Sequence, residues 1–144
     1  MAGEDFRAVD WRDGRVILLD QTRLPGEESY LELEDWCQVA EAISAMRVRG
    51  APAIGISAAY GVALAARRAK DPGAEVERAC EGLAAARPTA VNLPWAVGRM
   101  REVARDASSA DLADALLAEA HRIAAEQDAA DRAISRLGAE LLPD

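Results

Sequence analysis

The fold is decided by the longest uncharged run of the chain, which reads GAPAIGISAAYGVALAA over residues 50–66 and is bounded by Arg49 and Arg67. By length alone this run is at the lower limit of a membrane span. Its proline, three glycines and serine make it too weakly apolar for lipid. We therefore predict a buried helix that has Pro52 in its first turn and runs to about Ala69.

Composition favours one helix-rich domain. The chain has 144 residues, of which 33 are alanine and only 4% are aromatic. Alanine is the strongest helix former, so an all-β architecture is excluded and close-packed helices are expected. The net charge of −8 repels phosphate backbones and anionic lipids, so neither nucleic acid nor a membrane is expected as a partner.

The segment from Phe6 onward is strand-like before any helix begins. An apolar run over Arg15–Leu19 follows an Asp13-Gly14 turn, and a second run covers Tyr30–Leu33. These signals predict two or three antiparallel strands. The expected fold class is α+β, mainly α-helical, with a small N-terminal antiparallel sheet followed by a helical bundle.

Apolar spacing predicts further helices around the buried one. One runs from about Asp35 to Val48 and is broken by Gly50, the next runs from Asp71-Pro72 to Arg87, and a third runs from Pro94 through Val103. The last begins at a cap, Ser108 or Ser109, and ends near Leu142, either as one helix or as a broken pair. Asn92 is interpreted as the N-cap of the helix that Pro94 opens, and Trp95 as a core residue.

The first candidate site is Arg49-Gly50-Ala51-Pro52, at the start of the buried helix. Free backbone N–H groups at the positive end of a helix dipole, beside a guanidinium, can bind an anion or a phosphate. In the alternative interpretation, Gly50 only ends the preceding helix and Arg49 is a solvated charge.

A second candidate site is the loop Arg87-Pro88-Thr89-Ala90-Val91-Asn92-Leu93. Rigid loops beside helix starts are favourable places to hold a ligand. Its cation, Arg87, could meet Arg49 across one anion, whereas capping roles explain Thr89 and Asn92.

No side chain is a convincing catalyst. His121 is a lone histidine among charged neighbours, and Cys37 and Cys80 are interpreted as small hydrophobic residues of their helices. Neither cysteine belongs to a cluster with metal-ligand spacing, so no metal site is predicted. Reduced thiols, and the lack of a secretory pattern in the first six residues, indicate the cytoplasm.

Three segments together resemble a known family. They are Asp20-Gln21-Thr22-Arg23-Leu24-Pro25, Arg49-Gly50-Ala51-Pro52-Ala53-Ile54-Gly55 and Arg87-Pro88-Thr89-Ala90-Val91-Asn92-Leu93. In this order they are similar to bacterial methylthioribose-1-phosphate isomerases, relatives of the alpha, beta and delta subunits of the guanine-nucleotide exchange factor for translation initiation factor 2. The resemblance extends over essentially the whole chain.

The resemblance implies a cofactor-free aldose–ketose isomerisation in methionine salvage, from 5-methylthioribose 1-phosphate to 5-methylthioribulose 1-phosphate. Because the phosphate blocks the anomeric carbon, the ring must open before hydrogen moves from C2 to C1, a step that needs an acid–base pair in a water-poor site. The resemblance assigns the substrate contacts to Arg49, Gly50, Ala51 and Arg87.

The resemblance also implies that residues 1–144 are an N-terminal domain, without the Rossmann-like domain that carries the catalytic cysteine and aspartate. No catalytic residue is therefore expected here, and the isolated chain is expected to be inactive. The missing domain, on the same or a separate chain, is an expected partner, and an exposed alanine-rich surface would favour a homodimer.

Two alternatives to this function stay open. One is a ribose-1,5-bisphosphate isomerase, whose second phosphate would need further cations. The other is a non-catalytic regulatory module that senses a sugar phosphate.

Overall fold

A computed structural model describes residues 7–142, so the expectations that concern residues 1–6 lie outside it. Within that range three strands precede five helices, which confirms the α+β, mainly helical fold class. The strands are β1 (Val9–Arg12), β2 (Arg15–Leu19) and β3 (Tyr30–Leu33), and the helices are α1 (Trp36–Ser44), α2 (Ala51–Arg68), α3 (Pro72–Ala86), α4 (Asn92–Asp106) and α5 (Leu112–Ala139).

The strands form one antiparallel sheet in the order β1-β2-β3. The predicted turn between β1 and β2 is confirmed, because Asp13 and Gly14 both have positive φ, at 51° and 76°. This is the geometry of a two-residue hairpin turn whose twist matches that of the strands. Residues 16–19 are all buried, as the continuous apolar run predicts.

Helix α2 is the centre of the core. It contacts the other four helices as well as β1 and β2, and every residue from Ser57 to Ala66 is buried, so the predicted buried helix is confirmed. Its glycines permit close approach: a Cβ on Gly61 would lie 3.0 Å from Cδ1 of Leu83 in α3. None of the helices in residues 7–142 is long and apolar enough to cross a membrane.

Helix α1 ends several residues earlier than predicted, and Gly50 does not end it. The N–H of Arg47 donates to the carbonyl of Ala42 at 2.9 Å, and the N–H of Met46 donates to that of Ile43 at 3.2 Å. Met46 has a φ of 57°. Together these features form a Schellman motif, in which the left-handed residue is usually glycine. A methionine in that position left no signal for the helix end.

The last helix, Leu112–Ala139, is continuous rather than a broken pair. Its N-cap is Asp111, so the predicted serine cap is wrong; the hydroxyl of Ser108 instead lies 2.6 Å from the Asp111 carboxylate. The buried residues of α5 all lie in its first half. Farther along, Ile134 and Leu137 are 68% and 57% exposed, so their helical spacing predicted the helix but not burial.

Candidate functional site

The loop between α1 and α2 ends at Gly50, which is the N-cap of α2 and has a φ of 92° that favours glycine. Pro52 has no N–H, and the first intrahelical bond runs from Ile54 to the Gly50 carbonyl at 3.0 Å. The amides of Gly50, Ala51 and Ala53 are therefore donors without an intrahelical acceptor. The alternative in which Gly50 merely ends the preceding helix is wrong.

Arg49 lies exposed at this helix start. Its Nε donates to the carbonyl of Met46 at 3.3 Å, and no carboxylate of residues 7–142 forms an ion pair with it. A guanidinium with free donors beside unpaired amides is the arrangement that binds a phosphate or carboxylate.

Asp20 anchors this loop, although the sequence assigned it no role. Its side chain is 1% exposed, and it accepts hydrogen bonds from Thr22 Oγ1 at 2.5 Å and from Arg47 at 3.0 Å. The Thr22 hydroxyl and N–H, together with Arg47, hold the pKa of Asp20 below its usual value. Next to it, Gln21 donates to the carbonyls of Arg47 and Arg49, at 2.8 and 3.3 Å. An aspartate two residues before a threonine, directly after a buried strand, is the signal that could have predicted this turn.

The loop that carries Arg87 lies at the same end of the helical bundle as the start of α2. The hydroxyl of Ser44, at the end of α1, donates to the carbonyl of Ala86, at the end of α3, at 2.9 Å. A Cβ on Gly55 in α2 would lie 3.2 Å from the carbonyl oxygen of Asn92. Arg87 is partly buried and stands between these two contacts in the chain.

Two predictions for the start of α4 are wrong. Asn92 is its first residue rather than its cap, and Val91 occupies the cap position without a side-chain hydrogen bond. Trp95 is not in the core, because it is 50% exposed. The guanidinium of Arg99 lies 5.2 Å from the centroid of its ring.

Trp95 is one wall of a cleft of about 190 Å³ beside the start of α2, called the Trp95 cleft below. Its apolar lining is Pro52, Ile56, Trp95 and Ile123, and its polar lining includes Glu126 and Gln127. A second cleft of about 280 Å³, the Gly50 cleft, shares Pro52, Ile56 and Gln127 and extends to Gly50 and Arg7. The first turns of α2 therefore separate two adjoining depressions in the surface.

The histidine and the two cysteines, His121, Cys37 and Cys80, do not line either cleft. Nδ1 of His121 lies 3.0 Å from the hydroxyl of Tyr60, whose ring stacks on Trp11. Cys80 is buried as predicted, and burial raises the pKa of its thiol to about 11. Cys37 is exposed, so its interpretation as a small hydrophobic residue is wrong. Within residues 7–142 no group of three or more His, Cys, Asp or Glu side chains could hold a metal ion.

Similar proteins are of two kinds. The methylthioribose-1-phosphate isomerases of Geobacter metallireducens and Geobacter sulfurreducens are 50% and 49% identical to this chain over 147 residues, which is 96% of this chain and 42% of each relative. The crystal structure of 5-methylthioribose 1-phosphate isomerase from Pyrococcus horikoshii OT3 matches with a TM-score of 0.92 at 36% identity, over 96% of this chain and 41% of that one. The crystal structure of translation initiation factor eIF-2B, subunit delta, from A. fulgidus matches with a TM-score of 0.90 at 37% identity, over 97% and 43%.

The chain thus spans less than half the length of these relatives. Residues 47–144, more than half of the chain, match the Initiation factor 2 subunit family, and this match includes Arg49, Gly50, Ala51 and Arg87. The chain belongs to the Initiation factor 2 subunit family.

Proposed function

We propose that this chain is the substrate-binding N-terminal part of a methylthioribose-1-phosphate isomerase, which converts 5-methylthioribose 1-phosphate to 5-methylthioribulose 1-phosphate in methionine salvage. The observation that carries the proposal is the start of α2, where Arg49 lies beside the free amides of Gly50 and Ala51. The supporting comparison is 50% identity to such an isomerase over 96% of the chain.

In this proposal the chain holds the substrate and does not transform it. A phosphate at the first turn of α2 interacts with the helix dipole and with the planar donor fork of Arg49. Arg87 supplies a second cation from the neighbouring loop. Fixing the phosphate orients the sugar for the shift of hydrogen from C2 to C1. The acid–base pair for that shift would come from the C-terminal part that the relatives possess.

The experiment is a titration of the ¹⁵N-labelled chain with 5-methylthioribose 1-phosphate, followed by NMR. The amide signals of Gly50 and Ala51 should shift, and inorganic phosphate should compete. Arg49→Ala and Arg87→Ala should each weaken binding roughly tenfold, since a hydrogen bond to a charged group contributes about 1.5–3 kcal/mol when well made.

The matched control is Arg105→Ala, which removes the same charge from the far end of α4. That residue lies roughly 20 Å along the helix from Asn92, so binding should be unchanged. If the sugar phosphate left Gly50 and Ala51 unshifted, or if Arg105→Ala weakened binding as much as Arg49→Ala, the proposed site would be refuted.

A non-catalytic sensor of a sugar phosphate is the second candidate, favoured by the likeness to the delta subunit from A. fulgidus. An isomerase assay separates the two when the C-terminal part of the Geobacter metallireducens relative is added to this chain. Turnover that Arg49→Ala abolishes would support the isomerase, and binding without turnover would support the sensor. The chain alone should be inactive. Turnover by the isolated chain that Arg49→Ala abolishes would contradict the proposal that this chain only binds the substrate and the C-terminal part supplies the acid–base pair.

The proposed partners are the C-terminal part of the enzyme and a second copy of the chain. The exposed apolar side chains of Ile134 and Leu137 near the end of α5 are available for such a contact. Light scattering of the chain alone tests the homodimer directly. We also propose a cytoplasmic location, because Cys37 and Cys80 are both free thiols.

A further inference from the structure

We propose that the Trp95 cleft is a specificity subsite, which receives an uncharged apolar group at the C5 end of a pentose 1-phosphate and excludes a second phosphate there. The inference rests on the proposed function, since it requires the C1 phosphate to lie at the start of α2. Trp95 and Glu126 are the residues that distinguish a methylthio substituent from a phosphate.

The Trp95 cleft has the position and size for one end of such a ligand. It adjoins the Gly50 cleft through Pro52 and Ile56. From Gly50 to Ile56 the helix axis rises roughly 9 Å, so a pentose with its phosphate at Gly50 would bring its C5 substituent to Ile56. The volume of about 190 Å³ is below the roughly 300–1,000 Å³ of pockets that hold whole drug-sized ligands. The cleft therefore accommodates a substituent rather than a complete molecule.

The wall of the cleft is apolar and held in place. Trp95 remains 50% exposed, although large aromatic side chains are highly buried on average. The guanidinium of Arg99 lies 5.2 Å from its ring centroid, a cation–π contact that restrains the indole. Ile56 and Ile123 complete the apolar lining. A preorganised aromatic wall binds a thioether at little ordering cost, and sulfur–aromatic contact adds to the attraction.

The charges around the cleft oppose a second phosphate. Glu126 lines the cleft, and its hydrogen bonds from Arg99, the shorter at 2.5 Å, hold its pKa below the usual value, so it is ionised at neutral pH. Arg99 is already bonded to two carboxylates, so its positive charge is compensated. Arg7 lines the Gly50 cleft and does not line the Trp95 cleft.

The test is an NMR titration of the chain with 5-methylthioribose 1-phosphate, ribose 1-phosphate and ribose 1,5-bisphosphate. Dissociation constants come from the amides of Gly50 and Ala51, and the indole N–H of Trp95 reports the subsite. The methylthio compound should bind roughly tenfold more tightly than ribose 1-phosphate, the low end of the 10–200-fold that a small apolar group contributes in a pocket. The bisphosphate should bind most weakly, and only the methylthio compound should shift the Trp95 indole signal.

Variants separate the two discriminating residues. Trp95→Ala should reduce the preference for the methylthio compound to within about twofold, while the aromatic Trp95→Phe should keep most of it. Glu126→Gln should tighten bisphosphate binding specifically. The control is Glu102→Gln on the far part of α4, outside both clefts, and this variant should behave as wild type.

Different results would refute the subsite and the proposed function. If all three ligands shift Gly50 and Ala51 with equal affinity, or if Trp95→Ala keeps the preference, the subsite is refuted and the phosphate site stands. If no sugar phosphate shifts Gly50 and Ala51, the proposed function itself is refuted, and the subsite with it.

Discussion

Replacing Asp20 with asparagine should loosen the loop that carries Arg49. The amide oxygen can still accept from Thr22, but the amide nitrogen would face the guanidinium of Arg47, a donor against a donor. The lost interaction is a hydrogen bond of 3.0 Å between charged groups, with Asp20 1% exposed and Arg47 38% exposed. Such bonds contribute about 1.5–3 kcal/mol. Because water reaches Arg47, we expect a loss of about 2 kcal/mol in the free energy of unfolding.

The assay is urea unfolding followed by circular dichroism, with thermal unfolding as a second measurement. A loss of about 2 kcal/mol corresponds to a fall in Tm of roughly 4–8 °C for a chain of this size. Asp20→Asn should also weaken sugar-phosphate binding at Gly50, because the backbone of residues 47–50 is positioned from segment 20–22. An unchanged dependence of the unfolding free energy on urea would show that the variant still folds as one unit.

The matched control is Glu41→Gln, which removes the other carboxylate near Arg47. That pair is 3.4 Å apart and its acid is 60% exposed, so its loss should change stability by no more than about 0.5 kcal/mol. If Asp20→Asn and Glu41→Gln destabilised the chain equally, or if Asp20→Asn left ligand binding intact, the anchoring role assigned to Asp20 would be refuted.

Asp20 also makes the free energy of unfolding depend on pH in the acid range. Because the folded-state pKa of Asp20 is lowered from its usual value of 3.8, the unfolded state takes up the proton first as the pH falls. The stabilisation that Asp20 contributes is complete above the pKa that this carboxyl has in the unfolded chain. It is lost as the pH falls through the lower pKa that the carboxyl has in the folded chain. The stability difference between wild type and Asp20→Asn should therefore shrink below about pH 4, and a constant difference down to acid unfolding would contradict the assignment.

Two further predictions concern packing and thiol chemistry. A Cβ on Gly82 would lie 2.4 Å from the Trp36 ring, whereas one on Gly98 would meet nothing within 4 Å. Gly98→Ala should therefore stabilise the chain by about 1 kcal/mol through helix propensity. Gly82→Ala should destabilise it by roughly 1 kcal/mol, because the clash with Trp36 outweighs the same gain in helix propensity. Equal unfolding midpoints for the two variants would contradict the close packing of Gly82 against Trp36. A thiol reagent should modify the exposed Cys37 in the folded chain and Cys80 only on unfolding, since Cys80 is buried with a pKa of about 11. If folded Cys37→Ser reacted at the wild-type rate, the assignment of the reactive thiol to Cys37 would be wrong.

The elements that could be predicted from sequence are those whose signal is local. The Asp13-Gly14 turn requires two positive φ angles, and the uncharged run around Pro52 can only be a helix surrounded by other elements. The helix ends were less predictable. Met46 adopts the left-handed conformation that glycine usually takes, because the neighbouring loop is held by Asp20 in a different part of the chain.

The candidate site divides in the same way. Arg49 and Gly50 became candidates because a cation, a glycine and a helix start are adjacent in sequence, and the family resemblance then assigned them substrate contacts. Trp95 was placed in the core because an aromatic residue at helical spacing is usually buried. Its exposure depends on how α2, α4 and α5 pack around the Trp95 cleft, which no local pattern records.

By itself the sequence determined the helical class, the small sheet, the buried central helix and the cationic turn at its start, since each depends on residues close together in the chain. Only the tertiary structure decided that Asp20 holds that turn, that the Arg87 loop shares its end of the bundle, and that Trp95 faces solvent over a cleft. These features arise from contacts between distant segments, and their energies depend on distance and burial, which come into existence only when the chain is folded.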